Sequence, residues 1–475
     1  MKASGGSANC ACRAAIAVCA LALAAGAQAG QYMIEDLGDL GAGESRAYRI
    51  NAGGQVVGWS SVWVGGYHLR HAFLYSGGQM HDLSETPGSL GHEFGEAWGI
   101  NDAGQVVGKA ENADSKTRAF LYSGGSMVEI DPAFGGSTSW AYAINNADQV
   151  AGVAPRKYTL MSYDHAFRWT DANDDNVVDA GEVLELLALD GNTTSKSYAR
   201  DLNDVGQVVG YSRAGTYNHA FAFHDADGDG VVDAGELADL GTFGGNASEA
   251  YGINNAGQVV GRAQSAASKD HAFVWTDTTP NWQVDAGEML DLHPYGFGGD
   301  LSGAHGINSQ GNVVGYAQTA AGAIHAFIYG DGQMDDLNGL ISPTSGWTLE
   351  EAWDINDSGQ ITGYGKNPSN LTHGFLLTPL LPGDADRDGD VDLADLSTLA
   401  FHWNILSGAT WDMGDFDGDG DVDLADLSGL AFHWNQSVGS LPVPEPMTVS
   451  LLALGSMALI RRRQSPGGAL TTMSS

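Results

Sequence analysis

The chain has 475 residues, with 67 Gly, only 3 Cys, and 58 acids against 21 Lys and Arg, a formal charge of −37. That excess of carboxylates excludes nucleic acid as a partner, because phosphates require Lys and Arg, and it favours a soluble surface rich in cation sites. A hydrophobic fraction of 43% excludes wholesale disorder, and the length allows one large core or several small domains.

Residues 1–29 read as a secretory signal peptide. Lys2 and Arg13 supply positive charge, Ala14–Ala25 is a short apolar run, and Ala27-Gln28-Ala29 is an A-x-A cleavage site. The run is too short to span a bilayer comfortably. All cysteines (Cys10, Cys12, Cys19) fall inside this segment, so the exported chain is expected to hold together without disulfides.

Internal similarity dominates residues 32–380. The pattern I-N-x-x-G-Q-V-V-G stands at Ile50–Gly58 and Ile100–Gly108 and recurs with changes at Ile144–Gly152, Leu202–Gly210, Ile253–Gly261, Ile307–Gly315 and Ile355–Gly363. The spacings between the Asn residues of these seven copies are 50, 44, 58, 51, 54 and 48. An H-A-F-like strand follows each copy, beginning at His71, Arg118, His165, His219, His271, His325 and His373. These residues resemble the extracellular HAF repeat family of bacterial exported proteins.

Within one repeat, a short A-x-x-I-N strand meets N-x-x-G, where Asn suits the first turn position and Gly accepts φ > 0. Q-V-V-G then returns as the partner strand of a hairpin closed by a type I turn and a Gly bulge. Copy three has Asp148 in place of that Gly, and Asp tolerates the left-handed region. The H-A-F strand and an x-D-L strand complete four strands, the content of a propeller blade. The x-D-L strand follows six repeats and is missing after the seventh, where Phe375–Leu381 runs straight into Pro382, while a spare copy stands at Tyr32–Leu37. The N-terminal strand is therefore expected to complete the last blade and remove the exposed edge. The fold expected is mainly β: a seven-bladed propeller over 30–381, with an open β-solenoid as the alternative. The recurring His residues read as a strand-edge contact made once per blade, and Tyr75, Trp169, Trp275 and Tyr329 as packing between blades.

Two repeats replace the plain turn between their third and fourth strands with a 12-residue acidic loop. Asp171–Glu182 reads DANDDNVVDAGE and Asp225–Glu236 reads DADGDGVVDAGE. Both match an EF-hand-type calcium loop, in which oxygens at positions 1, 3, 5, 7, 9 and 12 wrap one ion. The ligands expected are Asp171, Asn173, Asp175, Val177 (by its carbonyl), Asp179 and Glu182, and likewise Asp225, Asp227, Asp229, Val231 (by its carbonyl), Asp233 and Glu236. A third copy, Asp277–Glu288, has Thr279 and Asn281 at positions 3 and 5 and reads as a decayed or weak site.

Residues 382–440 carry the strongest such signal. Asp384, Asp386, Asp388, Asp390, Asp392 and Asp395 are reproduced 31 residues later as Asp415, Asp417, Asp419, Asp421, Asp423 and Asp426. Leu393, Leu396, Leu399, Ala400 and Trp403 follow the first loop at helical spacing, and Leu424, Leu427, Leu430, Ala431 and Trp434 the second. With 13 Asp and one Arg between Gly383 and Ser440, like charges repel and folding is expected to be coupled to metal. This tandem resembles the type I dockerin module, which implies Ca²⁺ in each loop, a helix after each, a pseudo-twofold relation between the halves and a cohesin-like partner. Departing from that family, the helical segments carry neither Lys nor Arg. The two Phe-His-Trp-Asn ends (Phe401–Asn404 and Phe432–Asn435) are open to two readings, a symmetric contact patch or core aromatics.

Residues 441–463 contain Val443-Pro444-Glu445-Pro446, an apolar run Met447–Ile460 and Arg461-Arg462-Arg463, followed by a tail at 464–475. This resembles the PEP-CTERM sorting signal of Gram-negative bacteria, and implies an exosortase-type partner, transient membrane insertion of the apolar segment as a transmembrane helix, and delivery to the envelope, surface or medium. An ordinary membrane anchor is the alternative. The functional expectation is an exported, non-enzymatic, calcium-binding scaffold whose partner is a cohesin-like protein or an extracellular polysaccharide. The alternative is a dockerin-bearing component of a polysaccharide-degrading system with hydrolase activity.

Overall fold

The hairpin expected at each N-x-x-G forms. In the first repeat Gly54 donates its N–H to the Asn51 carbonyl at 3.1 Å and takes φ +75°; Asp148 takes φ +57° in copy three. Four antiparallel strands follow in chain order, Ser45–Ile50, Val56–Val64, Tyr67–Ser76 and Gln79–Asp82. The computed structural model describes residues 32–436 apart from 86–93, 133, 159–160, 174, 180, 234, 280–281, 283, 388 and 418–419. The expected signal peptide at 1–29, the sorting signal at 441–463 and the tail at 464–475 lie outside the described residues. No helix among the described residues is long and apolar enough to cross a membrane.

Seven four-stranded sheets form a seven-bladed β-propeller. The last sheet comprises Thr348–Ile355, Ile361–Lys366 and Thr372–Pro379, and its outer strand is the N-terminal Tyr32–Asp36. That strand runs antiparallel, from Tyr32 opposite Pro379 to Asp36 opposite Phe375. The spare strand thus covers the edge that the seventh repeat leaves open.

Two features close the ring. The amide of each repeat Asn donates to the backbone carbonyl of the equivalent Asn in the next blade, from Asn51 to Asn101 and onward to Asn356, which returns to Asn51. The seven bonds measure 2.8 to 3.3 Å. Within each blade the first residue of the H-A-F strand contacts the acid of the x-D-L strand. Six are His–carboxylate pairs and the second blade uses Arg118 with Glu129, all at 2.5 to 3.0 Å. In the last blade His373 reaches Asp36 of the N-terminal strand, and this bond raises the imidazole pKa. Trp169 and Trp275 are fully buried, and Trp169 packs against Val107 and Leu121 of the preceding blade.

The Gly ending each Q-V-V-G is required by close approach. A Cβ there would lie 1.9 to 2.2 Å from a carbonyl oxygen of the facing innermost strand in all seven blades, from Gly58 to Gly363. Opposite it, every innermost strand has a β-bulge after its Ala: the register skips Tyr48, Trp98, Tyr142, Arg200, Tyr251, His305 and Trp353.

After the propeller come two loop–helix halves, with helices Leu393–His402 and Leu424–Phe432. They share a core of Leu399, Trp411, Phe416, Leu427 and Leu430. The halves are related by backbone pairing. Val391 exchanges bonds with Asn435 and Gln436, and Val422 with Asn404 and Ile405, at 2.8 to 3.0 Å. Helical spacing here does not identify a single buried face: Leu393, Leu424, Phe401 and Phe432 are exposed, while Trp403 and Trp434 pack against the core.

If the asparagine ring ties the blades together, Asn203→Ala should cost about 1–3 kcal/mol by leaving the Asn254 carbonyl buried without its donor. Gly210→Ala should cost more, because its Cβ would lie 1.9 Å from the Tyr198 carbonyl oxygen and backbone cannot give way as a side chain can. Urea unfolding of both variants beside an exposed Thr216→Ala control tests this; changes no larger than the control would remove the ring and the bulge from the account.

Candidate functional site

The five acidic loops share one backbone design. The position-12 acid accepts from the N–H groups of positions 2 and 9: Glu182 from Ala172 and Asp179, Glu236 from Ala226 and Asp233, Glu288 from Thr278 and Asp285. Asp395 does so from Ala385 and Asp392, and Asp426 from Phe416 and Asp423, at 2.6 to 2.8 Å. The position-1 acid accepts from the N–H of position 6 in every loop. Position 6 is always left-handed: Asn176 φ +59°, Gly230 +73°, Trp282 +51°, Gly389 +94° and Gly420 +89°.

The loops differ in how their acids converge. In the C-terminal pair, Asp384, Asp395, Asp415 and Asp426 are buried. Carboxylate oxygens lie within 4.8 Å of one another in the sets Asp384–Asp386–Asp395 and Asp390–Asp392–Asp395, and in the equivalent sets Asp415–Asp417–Asp426 and Asp421–Asp423–Asp426. Burial pushes the Asp426 carboxyl above its ordinary range despite its backbone donors. Asp392 and Asp423 cap the two helices. Asp388 and Asp419 lie outside the described residues.

Inside the propeller, Asp225, Asp227 and Asp229 converge within 4.8 Å, and Asp229 followed by burial and Asp227 raises the pKa of Asp233. In the loop before it, the Asn173 amide bridges Asp175 at 3.2 Å and Asp179 at 3.1 Å. The N–H of Asp179 lowers the pKa of Glu182. Val177 and Val231 are exposed, and each donates its N–H to the position-5 carboxylate, Asp175 or Asp229. In the third loop the Thr279 hydroxyl donates to Asp285 at 2.8 Å, and Trp282 stacks on His224 at 4.9 Å. Thr279 thus puts a neutral hydroxyl where three of the other loops have Asp, and Trp282 stands where they have Asn or Gly.

Such oxygen clusters suit a hard cation. Buried carboxylates in contact are costly unless a positive charge joins them, and six to eight oxygens on a 12-residue loop are a calcium donor set.

A second site lies on the axis, built from the bulged residues. A bulge re-aims a side chain, and here it brings Tyr48, Trp98, Tyr142, Arg200, Tyr251, His305 and Trp353 to the walls of one chamber of about 430 Å³. Neighbouring groups touch in series. Trp98 stacks on Tyr142 at 4.7 Å, Arg200 lies 4.4 Å from the Tyr142 ring, Tyr251 meets His305 at 5.4 Å, and His305 stacks on Trp353 at 4.2 Å. Arg70 and Lys109 also line it and both pair with Glu96, at 2.9 and 3.1 Å. Arg49, also in the lining, crosses to Asp201 at 2.9 Å and Asp354 at 3.6 Å. Burial raises the Asp354 pKa to about 6, against the pull of Arg49.

Because neighbouring strands are antiparallel, the N-x-x-G turns and the third-to-fourth-strand connections share one end of the propeller; Gln55 bonds Ser76 across them at 3.2 Å. The propeller's acidic loops therefore stand at the asparagine-ring end, and the aromatic chamber lies towards the other. Sequence reasoning missed this chamber. Its signal was the residue after Ala in A-x-x-I-N, which reads Tyr, Trp, Tyr, Arg, Tyr, His, Trp round the ring.

A family described as a protein of unknown function, DUF3466, matches residues 137–370. No curated protein matches the chain. Among solved structures, the β-propeller domain of the Trilobed protease from Pyrococcus furiosus is similar, with TM-score 0.45 and 10% identity over 70% of this chain and 93% of that one. PorZ, an essential surface component of the type-IX secretion system of Porphyromonas gingivalis, gives 0.45 and 11% over 75% of this chain and 50% of its own. A gluconolactonase from Xanthomonas campestris gives 0.32 and 10% over 74% and 91%. Likeness at these identities concerns the fold alone.

The raised Asp354 pKa has a signed consequence. The folded state holds that proton more tightly than the unfolded chain, whose carboxyl titrates near 3.8. Its contribution is therefore greatest below about pH 4 and is lost as pH rises to about 6. Wild-type stability minus that of Asp354→Asn should fall across this window by up to about 3 kcal/mol. Urea midpoints at several pH values check it; a difference that stays level or grows with pH would contradict it.

Proposed function

We propose that this protein is an exported, calcium-binding propeller of a Gram-negative cell envelope or surface that acts as a binding scaffold rather than an enzyme. The observation that carries the calcium reading is the pair of C-terminal loops, whose first and last acids are buried with carboxylate oxygens within 4.8 Å. Ca²⁺ supplies the positive charge that such clusters need, and it couples loop closure to folding. The loops at 171–182 and 225–236 are assigned the same role within the propeller, the second with the better convergence of acids.

The resemblance of the repeats to those of HAF-repeat exported proteins, and of the terminal unit to type I dockerins, supports this reading. The N-terminal signal and the PEP-CTERM-like end support export and handling by an exosortase-type machinery. The tandem loop–helix unit is assigned to docking, with a cohesin-like protein as the partner its family implies; extracellular polysaccharide is the other partner considered. A hydrolase acting on polysaccharide requires two acids facing each other across a cleft. Asp201 and Asp354 are instead each held by Arg49 and by a backbone N–H, from Ile253 and Ile50, and Glu96 of the chamber is held by Arg70 and Lys109, which favours the scaffold reading.

Calorimetric titration of Ca²⁺ into the metal-free exported chain should reveal four sites and raise its melting temperature; no calcium-dependent stabilisation would overturn the reading. Changing Asp384 and Asp415 together to Ala should abolish the melting of the C-terminal unit and leave that of the propeller nearly unchanged. Loss of both transitions together would show that the two units do not fold separately.

A further inference from the structure

The axial chamber is unusual in its charge. In a chain of net charge −37, four of the 21 Lys and Arg line this one cavity, as Arg49, Arg70, Lys109 and Arg200. Three of them have acids: Arg49 has Asp201 and Asp354, and Arg70 and Lys109 share Glu96. Arg200 has none. Among the described residues it makes no ion pair and no hydrogen bond, and it is surrounded by the rings of Tyr142, Tyr211 and Tyr251 at 4.4 to 5.8 Å.

This count fixes the ligand's charge. Set against Asp201, Asp354 and Glu96, the four cations leave one positive charge, which matches one anionic group; a phosphate ester carrying two charges would exceed it. The walls fix the rest. Broad ring faces favour a ligand with apolar C–H surface. The indole N–H groups of Trp140 and Trp353, both lining the chamber, have no protein acceptor and suit a ligand rich in oxygen. At about 430 Å³ the chamber falls within the range of roughly 300–1,000 Å³ usual for small-molecule sites.

We propose that the axial chamber binds an acidic saccharide, a sugar with one carboxylate per ring, which the Arg200 guanidinium holds while the aromatic ring faces cover its C–H surface. Arg is suited to this because its planar fork meets a carboxylate in two parallel bonds. The inference names a ligand class for the binding scaffold proposed above and rests on that part of the reading; it does not depend on calcium, since no residue of an acidic loop lines the chamber.

The test is calorimetry on the full exported chain with a β-1,4-linked glucuronate trimer, the matching glucose trimer and a nucleoside monophosphate as probes. The glucuronate trimer should bind at least about tenfold more tightly than the glucose trimer. Arg200→Gln should remove that preference and Arg200→Lys should restore part of it, with melting curves showing both variants folded. Affinity should change less than about twofold when calcium is chelated, the loops being remote. Absence of trimer binding, equal affinity for the neutral trimer, preference for the nucleotide, or a preference unchanged in Arg200→Gln would each overturn the proposal. Trimer binding in a chain that takes up no calcium would sink the calcium reading and leave this one standing; calcium uptake without trimer binding would do the reverse.

Discussion

Seven asparagine amides set the geometry of this propeller, because each is held at both ends of a short span. The Asn side chain accepts from its own turn, as Asn51 does from the N–H of Gln55, and donates to the turn carbonyl of the following blade. Each blade is thus positioned by its neighbour at the innermost point, where backbone is most crowded and an unpaired carbonyl would be costly. The bulge follows from the same crowding. With Gly58 and its six counterparts pressed against the facing strand, one residue per innermost strand leaves the ladder and faces the axis. A local packing constraint, repeated seven times, therefore builds both the closed ring and the wall of the chamber.

The acidic loops obey a different logic. Their shape is fixed by hydrogen bonds from backbone to the first and last acids, and those bonds persist at Asp277–Glu288, where Thr279 has replaced an acid. Loop conformation and cation capacity are therefore separable. The backbone design survives substitution at positions 3 and 5, while the cluster of carboxylates does not. Trp282 at φ +51° pays for that conformation with strain and offsets it by stacking on His224. The C-terminal loops bury their first acid, Asp384 or Asp415, as well as their last, whereas the propeller loops bury only a last acid, Glu236 or Glu288, and so the terminal pair has the greater need of a counter-charge.

What could be read from the sequence was whatever depends on near neighbours along the chain. The repeat period, the spare Tyr32–Leu37 strand, the Asp148 turn and the loop spacing are all local patterns, and the propeller contains each of them. The recurring His was legible as a once-per-blade contact, and its partner acid belongs to the x-D-L strand already in view. The chamber was not legible, because residues from all seven blades meet only once the ring closes, and because the bulged position varies between aromatic and cationic types. Arg200 in particular looks, in sequence, like a break in an aromatic series. Helical spacing failed differently: it located Leu393 and Leu424 on short helices, but their faces are decided by the loops that fold back beneath them.

The two kinds of site divide the charge of the molecule. Acids gather where backbone N–H groups from tight loops can hold them, at the asparagine-ring end and in the terminal unit. Cations gather on the axis, where aromatic faces hold them: Lys109 lies 4.5 Å from the Trp98 ring and Arg200 4.4 Å from Tyr142. Arg49 needs more than rings, and it crosses the axis to Asp201 and Asp354 because blades one, four and seven come within a side chain's length there. That crossing matches Arg49 with two acids, while Arg200, among the described residues, touches none, so the same closure that makes the fold also sets the charge that a ligand must bring.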